Sequence, residues 1–176
     1  MNQLKLTLAI IKPDVVKVPF VLREIRQRIL LAGFYIIGSR ELTMSVQQAE
    51  RFYREHTGRF FHTRLVTFMS SGPIHVHILA HPEAIQEWRT IMGPTKTYIA
   101  QFLAPSSIRG SFGLTDTRNS THGSDSMESA IEEIKFFFPQ FSPSLWYEKD
   151  EPLIRRGEFA TNFETFTESN SSQCAS

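Results

Sequence analysis

The chain has 176 residues, 41% of them hydrophobic, and its 19 basic and 18 acidic residues leave a formal net charge of +1. This length and composition predict one domain with a core of ordinary size. The near-neutral charge argues against a specific nucleic-acid partner and against a membrane surface as partner. Because Cys174 is the single cysteine, an intrachain disulfide is excluded, which indicates a reducing compartment.

The sequence contains no standard targeting segment, and no apolar run approaches the length of a membrane span. We therefore expect an intracellular protein. The cytoplasm and the mitochondrion both stay open, since an internal import signal would not be visible in such patterns.

Apolar alternation and helical spacing predict an ordered series of elements. Leu4 to Ile10 alternate with period two and predict a central strand, which Lys12-Pro13-Asp14 ends. The later predicted elements are a helix from Pro19 to Ala32, a strand over 34–44, a helix over 47–56 capped by Ser45, a helix over 63–70, a strand over 74–80, a helix over 84–91, a weakly periodic loop over 95–121, and a helix that starts at Asp125 or Ser126 and ends before Pro139. This order predicts an α/β or α+β sandwich with a small, mainly antiparallel or mixed sheet and helices on one face.

The predicted domain covers residues 1–150. Trp146 and Tyr147 indicate a short terminal element that packs onto it. Residues 151–176 form a C-terminal extension rich in Thr, Ser, Asn and Glu, which we expect to be largely disordered after about residue 160.

The segment from Asn119 to Asp125, NSTHGSD, places His122 between small polar residues and directly before Gly123. A tight turn ahead of a helix N-terminus would present this imidazole beside backbone N–H groups. Such a place suits an anion, phosphate in particular. The alternative is a polar turn that happens to contain a histidine.

Other candidate phosphate ligands lie at or just beyond the ends of predicted elements. They are Lys12, Tyr53, Arg89, Thr95 and Arg109. Together they supply the fixed positive charge and hydrogen-bond donors that a phosphate clamp needs. Taken singly, each is better explained as a solvated surface residue.

Two further pairs allow two interpretations each. Phe60 and Phe61 could fill the core or form an aromatic platform for a base, since stacking accepts every base. His75 and His77 project from one strand face and could bind a metal, but no Cys or carboxylate at ligand spacing accompanies them.

With these residues the sequence resembles the nucleoside diphosphate kinase family from Lys5 to about Tyr147. The matching segments are Thr7 to Asp14, Phe52-Tyr53, Arg59 to Met69, Ser71 to Pro73, Arg89 to Thr95, Ser107 to Gly110, Asn119 to Asp125 and Glu128 to Glu133. A segment before Arg109 that is three residues longer than is common, together with the C-terminal tail, makes the chain similar to the divergent nucleoside diphosphate kinase 6 branch.

The resemblance implies a ferredoxin-like, four-stranded antiparallel sheet covered by helices, and a ping-pong phosphotransfer. A nucleoside triphosphate would give its γ-phosphoryl group to His122, and a nucleoside diphosphate would then take it. Mg²⁺ would arrive on the nucleotide phosphates without ligands from the protein. Base recognition by stacking implies broad specificity, with ATP and GTP among the substrates.

The resemblance also implies a role for each matching residue. Lys12 and Tyr53 would bind near the transferred phosphate, Lys12 and Asn119 at the ribose hydroxyls, Arg89, Thr95 and Arg109 at the other phosphates, and Phe61 on the base, while Glu133 would orient His122 and Ser124 would assist Glu133.

Departures from the family pattern define the competing hypotheses. Val15, Phe60 and the pair Asp116-Thr117 replace common family residues, and the loop before Arg109 is longer. In hexameric relatives this loop makes subunit contacts, so its extension argues against a hexamer and leaves another homo-oligomer or a protein partner open. The first hypothesis is an active kinase, and the second is a weakly active or inactive member that acts as a partner-binding module. The third, a nucleic-acid-binding regulator, conflicts with the near-neutral charge.

Overall fold

The computed structural model describes residues 2–158, and the segment expected to be disordered, after about residue 160, lies outside the described residues. Its sheet has the strand order β2-β3-β1-β4, and every neighbouring pair is antiparallel. The strands are β1 (Lys5–Ile11), β2 (Tyr35–Thr43), β3 (Pro73–His81) and β4 (Thr121–Gly123). This arrangement confirms the predicted ferredoxin-like α+β fold.

Within residues 2–158 the sheet is accompanied by nine α-helices and one 3₁₀ turn at Arg54–His56. The helices are α1 (Pro13–Val16), α2 (Pro19–Leu31), α3 (Val46–Phe52), α4 (His62–Met69), α5 (Ala84–Met92), α6 (Thr97–Leu103), α7 (Ile108–Phe112), α8 (Met127–Phe137) and α9 (Pro143–Arg155). None of these helices is both long enough and apolar enough to cross a bilayer.

Helices cover both faces of the sheet, so the prediction of helices on one face was wrong. Leu6 and Leu8 of β1 point into a core shared with α4, α8 and α9. Ala9 and Ile11 point the other way, into a second core under α2 and α5. Because both sides of this central strand are apolar, each side has to be covered.

The segment predicted as a loop over 95–121 contains the short helices α6 and α7. Ser107 begins α7, because its hydroxyl accepts a hydrogen bond from the Gly110 backbone N–H at 3.1 Å. Helices of seven and five residues are too short to show an apolar period in sequence. The prediction that residues 95–121 form a loop without helices was therefore wrong.

The C-terminal helix α9 is tied to the start of the sheet. The Leu4 backbone N–H donates to the buried carboxylate of Glu151 at 2.9 Å. Trp146 on the same helix is buried in the core. The helix continues past residue 150, and the division into residues 1–150 and 151–176 stays a prediction.

His75 and His77 of β3 make separate hydrogen bonds to side chains of β2. His75 Nε2 lies 2.7 Å from Glu41 Oε2, and His77 Nδ1 lies 2.7 Å from Ser39 Oγ. Burial, with the charges of Arg26 and His75, lowers the pKa of His77 to about 3, so its ring is neutral at physiological pH. These neighbours make the pair part of the sheet packing.

Candidate active site

One open cleft of about 1940 Å³ brings together nine of the residues nominated from sequence. They are Lys12, Tyr53, Phe61, Arg89, Thr95, Arg109, Asn119, His122 and Glu133. The tenth, Ser124, is buried behind the cleft wall. The cleft lies beyond one end of β1, at the edge of the sheet that β4 forms.

His122 lies at the end of a short chain of hydrogen bonds. Its Nε2 lies 3.0 Å from Glu133 Oε1 on α8, and Ser124 Oγ donates to Glu133 Oε2 at 2.6 Å. Ser124 Oγ in turn accepts from the Leu8 backbone N–H at 3.2 Å. The carboxylate is therefore held at both oxygens, and one ring nitrogen of His122 is committed to it.

The backbone of His122 belongs to a strand, not to the predicted tight turn. It pairs with Ile10 across the sheet, and its carbonyl accepts from Trp88 Nε1 at 3.2 Å. Strand pairing fixes the direction of the side chain, because successive residues point to opposite faces. The turn lies two residues earlier, at Ser120.

Ser120 has a φ of 73°, which is strained for a residue with a side chain. The Thr121 N–H donates back to the Asn119 carbonyl at 2.8 Å, so the chain reverses within three residues. Asp14 Oδ2 accepts from the Ser120 N–H at 3.2 Å. This contact ties the turn to α1, just after β1, and the Lys12 N–H also donates to the Ser120 carbonyl at 2.9 Å, so Asn119 lies beside Lys12.

Lys12 is buried, and its ammonium has two oxygen partners within the cleft wall. It donates to Asn119 Oδ1 at 2.6 Å and to the Thr117 carbonyl at 3.4 Å. Burial and the positive charge of Arg109 lower the pKa of Lys12 to about 7, against the opposing effect of the Asp14 carboxylate. The Lys12 amine is therefore only partly protonated near pH 7, and an anion beside it would favour the charged form.

Arg109 is fixed by backbone carbonyls on both sides of the cleft. Its Nη1 donates to the Gly93 carbonyl at 2.9 Å, and its Nη2 donates to the Thr121 carbonyl at 3.1 Å. Burial, followed by the charge of Arg89, lowers the pKa of Arg109 to about 10. Arg89 itself is exposed on α5, so two guanidinium groups that repel one another face the same space.

Aromatic side chains line another part of the cleft. Tyr53 is buried with its ring centre 6.1 Å from that of His122, and its hydroxyl has no hydrogen-bond partner among residues 2–158. Burial and the Glu133 charge raise the pKa of Tyr53 above its usual range, so the hydroxyl remains a donor. Phe61 is half-buried, whereas Phe60 is 93% exposed at the mouth.

Residues 5–142 match the family model described as nucleoside diphosphate kinase. The chain belongs to the nucleoside diphosphate kinase family. It is 59% identical over 154 residues to nucleoside diphosphate kinase 6 of Homo sapiens, which covers 88% of this chain and 83% of that protein. It is 52% identical over 162 residues to nucleoside diphosphate kinase 6 of Danio rerio, which covers 92% of each. A crystal structure of the Aquifex aeolicus nucleoside diphosphate kinase matches with a TM-score of 0.74 and 39% identity, over 80% of this chain and 97% of that one.

The predicted resemblance, including the likeness to the nucleoside diphosphate kinase 6 branch, is therefore confirmed. Family and fold support a phosphotransferase of the kinase kind. Nucleoside diphosphate kinases bind nucleotides and generally depend on Mg²⁺.

Three residues of this family member were not nominated from sequence, although they shape the site. Asp14 supports the turn at Ser120, and Trp88 packs against the backbone of His122. Arg64 donates to Thr117 Oγ1 at 2.9 Å, within the pair Asp116-Thr117 that departs from the family pattern. Only Asp14 carried a sequence signal, because it directly follows the Lys-Pro pair that ends β1.

Gly123 lies at a position where the packing leaves no room for a side chain. A Cβ at Gly123 would collide with the indole ring of Trp88 and with the end of Met92. The glycine therefore admits Trp88 against the strand.

Nucleotide affinity is expected to fall as the pH rises above the pKa of Lys12. The free ammonium loses its proton above about pH 7, whereas a bound phosphate favours the charged form. Between about pH 8 and pH 9 the Kd of MgADP should rise by up to about tenfold, with uptake of about one proton on binding. Calorimetry in buffers of different ionisation enthalpy measures that proton. Lys12→Met should abolish the proton uptake. Wild-type binding without proton uptake at about pH 8 would contradict the expectation that the Lys12 ammonium binds a phosphate of the nucleotide.

Proposed function

We propose that this chain is a nucleoside diphosphate kinase that transfers the γ-phosphoryl group of a nucleoside triphosphate to a nucleoside diphosphate through a phosphohistidine on His122. The observation that carries the proposal is the 3.0 Å contact between His122 Nε2 and Glu133. With Nε2–H donating to the carboxylate, Nδ1 keeps its lone pair and is the nucleophile. Lys12 and Arg109 supply positive charge in the same cleft.

The transfer takes place in two steps. The Nδ1 lone pair forms a bond to the γ-phosphorus while the bond from that phosphorus to the β–γ bridging oxygen breaks, and the diphosphate leaves with those electrons. A terminal oxygen of the second diphosphate then attacks the same phosphorus, and the N–P bond breaks. Glu133 stabilises the positive charge that the imidazole ring carries in between, since it accepts the Nε2 proton's hydrogen bond throughout.

The remaining cleft residues bind and orient the phosphates. Lys12 and the Tyr53 hydroxyl would donate to the transferred group, because the hydroxyl is buried, protonated and without another partner among residues 2–158. Arg89, Thr95 and Arg109 would hold the other phosphates, which would neutralise the two guanidinium groups. This ring of donors suits a reaction that needs mainly positioning and charge stabilisation.

The nucleoside would occupy the outer part of the cleft. Phe61 would stack on the base, and Asn119 with Lys12 would reach the ribose hydroxyls. Asn119 is prepared for this, because its Nδ2 donates to the Thr95 carbonyl at 3.1 Å and its Oδ1 accepts from Lys12. Stacking without base-specific hydrogen bonds implies broad nucleotide specificity.

Mg²⁺ would be held by the phosphate oxygens of the nucleotide. The donors nearest the proposed phosphate positions are cationic or hydroxylic, which fits phosphates with their own metal better than a metal held by protein carboxylates. When bound, the ion neutralises charge on the phosphates. The proposed roles of the side chains require no protein ligand to the Mg²⁺ ion.

Labelling with γ-labelled ATP tests the phosphohistidine directly. Wild-type protein should acquire a label that is labile in acid and stable in alkali, and His122→Ala should acquire none. Excess unlabelled nucleoside diphosphate should remove the label from wild type. Label that persists in His122→Ala would overturn the assignment of the nucleophile.

The second candidate is a partner-binding module with weak or no turnover. It is favoured by the exposed apolar side chains of α6, where Phe102 is 85% and Leu103 is 70% exposed. Steady-state assays with GTP and dTDP separate the two functions. A turnover number of about 1 to 1000 per second for the isolated chain would remove this second candidate.

A further inference from the structure

The helix that carries Arg109 cannot be stable by its own hydrogen bonds. α7 has five residues, and isolated helices of this length do not form in water. It follows the segment that is longer than is common in the family. Contacts from outside this segment must therefore determine where Arg109 lies.

Arg28 on α2 supplies such contacts on both sides of Arg109. Its Nη1 donates to the Ser106 carbonyl at 2.9 Å and to Ser111 Oγ at 3.2 Å. Its guanidinium carbon lies 5.0 Å from the ring centre of Phe112. One side chain thus holds residues before, within and at the end of α7.

The guanidinium of Arg28 is itself held in place. Its Nε donates to Glu24 Oε1 at 3.0 Å, one turn earlier on α2, and the Arg28 side chain is only 25% exposed. The geometry uses the planar fork of an arginine, because Nε points along the helix while Nη1 points to α7. A lysine has no second donor in such a fixed relation.

We infer that Arg28 is a positioning residue for phosphoryl transfer: it holds α7 so that Arg109 reaches the phosphates beside His122. The inference rests on the proposed phosphate-binding role of Arg109. Arg28 does not line the cleft. It acts through its contacts with Ser106, Ser111 and Phe112. Since a misplacement of about 1 Å in a binding group can reduce a rate about 100-fold, loosening this helix should be felt at the site.

The connection from α2 to the site is continuous. Arg28 binds the Ser106 carbonyl, and the next residue, Ser107, caps α7 through its hydroxyl. Arg109 follows within the first turn and donates to the Gly93 and Thr121 carbonyls. The lengthened segment is in this way supported from within the same chain.

A double-mutant cycle on MgADP affinity tests the inference. We expect Arg28→Ala to weaken binding about tenfold and Arg109→Ala about a hundredfold. The double variant should bind no more weakly than Arg109→Ala alone, because Arg28 acts through that residue. If Arg28→Ala weakens binding by the same factor in both backgrounds, the effect does not run through Arg109 and the inference is wrong.

Amide hydrogen exchange of residues 104–113 provides a readout that needs neither turnover nor nucleotide. Arg28→Ala should accelerate exchange there about tenfold, and Arg28→Lys should restore only part of the protection. The matched control is Arg23→Ala, which removes an exposed arginine from the same helix. It should leave both the exchange of residues 104–113 and the affinity for MgADP unchanged. Unchanged exchange in Arg28→Ala would overturn the inference even if His122 is labelled normally. Accelerated exchange in a protein that His122 labelling shows to be inactive would instead count against the proposed function.

Discussion

Replacing His122 with alanine is expected to lower kcat for nucleoside diphosphate phosphorylation by at least about 10⁴-fold. The reason is chemical: the imidazole is the proposed acceptor, and the neighbouring Tyr53 is kept protonated by burial and by the Glu133 charge, so it cannot replace the nucleophile. The measurement is a coupled steady-state assay with GTP and dTDP. MgADP affinity should be retained, because the phosphate-binding cations are untouched.

The control for this experiment has to separate lost chemistry from lost structure. Circular dichroism melting of His122→Ala should be close to wild type, since the His122 side chain lies partly exposed at the cleft. His122→Gln, which keeps a polar side chain of similar size, should be as inactive as His122→Ala. Substantial turnover by either variant would show that the phosphoryl group does not pass through His122.

Replacing Gly123 with alanine is expected to reduce both stability and activity. The added methyl group would collide with the buried ring of Trp88, which is fully enclosed and cannot move away cheaply. Overpacking of this kind costs about 1–3 kcal/mol. Because Trp88 also donates to the His122 carbonyl, the displaced strand should misplace the imidazole and lower kcat about 100-fold.

Gly72→Ala is the matched control for Gly123→Ala. A Cβ at Gly72 would lie 3.1 Å from the end of the flexible Lys17 side chain, which can move, and 3.7 Å from Pro13 Cβ, which is an ordinary van der Waals contact. Thermal melting should therefore separate the two variants, with a clear loss in Tm for Gly123→Ala alone. A Gly123→Ala protein that melts and turns over like wild type would contradict the packing of Trp88 against β4.

Much of the fold was predictable because its signals are local. The alternation of β1, the capping box of Ser45 with Gln48 and the apolar spacing of α5 each lie within a few residues, and each is present in the structure. Helices on the second face were missed because an apolar strand end says only that both sides are covered, and does not say by what. The helices α6 and α7 were missed because they are too short to show a period.

The candidate site was predictable to a similar extent and for a similar reason. The segment NSTHGSD nominated His122, the ends of predicted elements nominated the candidate phosphate ligands, and the family resemblance added Asn119, Ser124 and Glu133. What no pattern contained was the cause of their positions. His122 lies on a strand because it pairs with Ile10, and Gly123 is a glycine because Trp88 packs there.

The sequence by itself determined the family through its motifs, and the resemblance to that family implied the antiparallel sheet and most of the side chains that meet in the cleft. The tertiary structure alone decided how the set is held. Trp88 reaches a residue 34 positions away, and Arg28 reaches one 78 positions away. Such contacts depend on how distant segments pack, and neither periodicity nor composition records that packing. The position of Arg109 is therefore a property of the folded chain, since it depends on Arg28 of α2, a helix that packs on one face of the sheet.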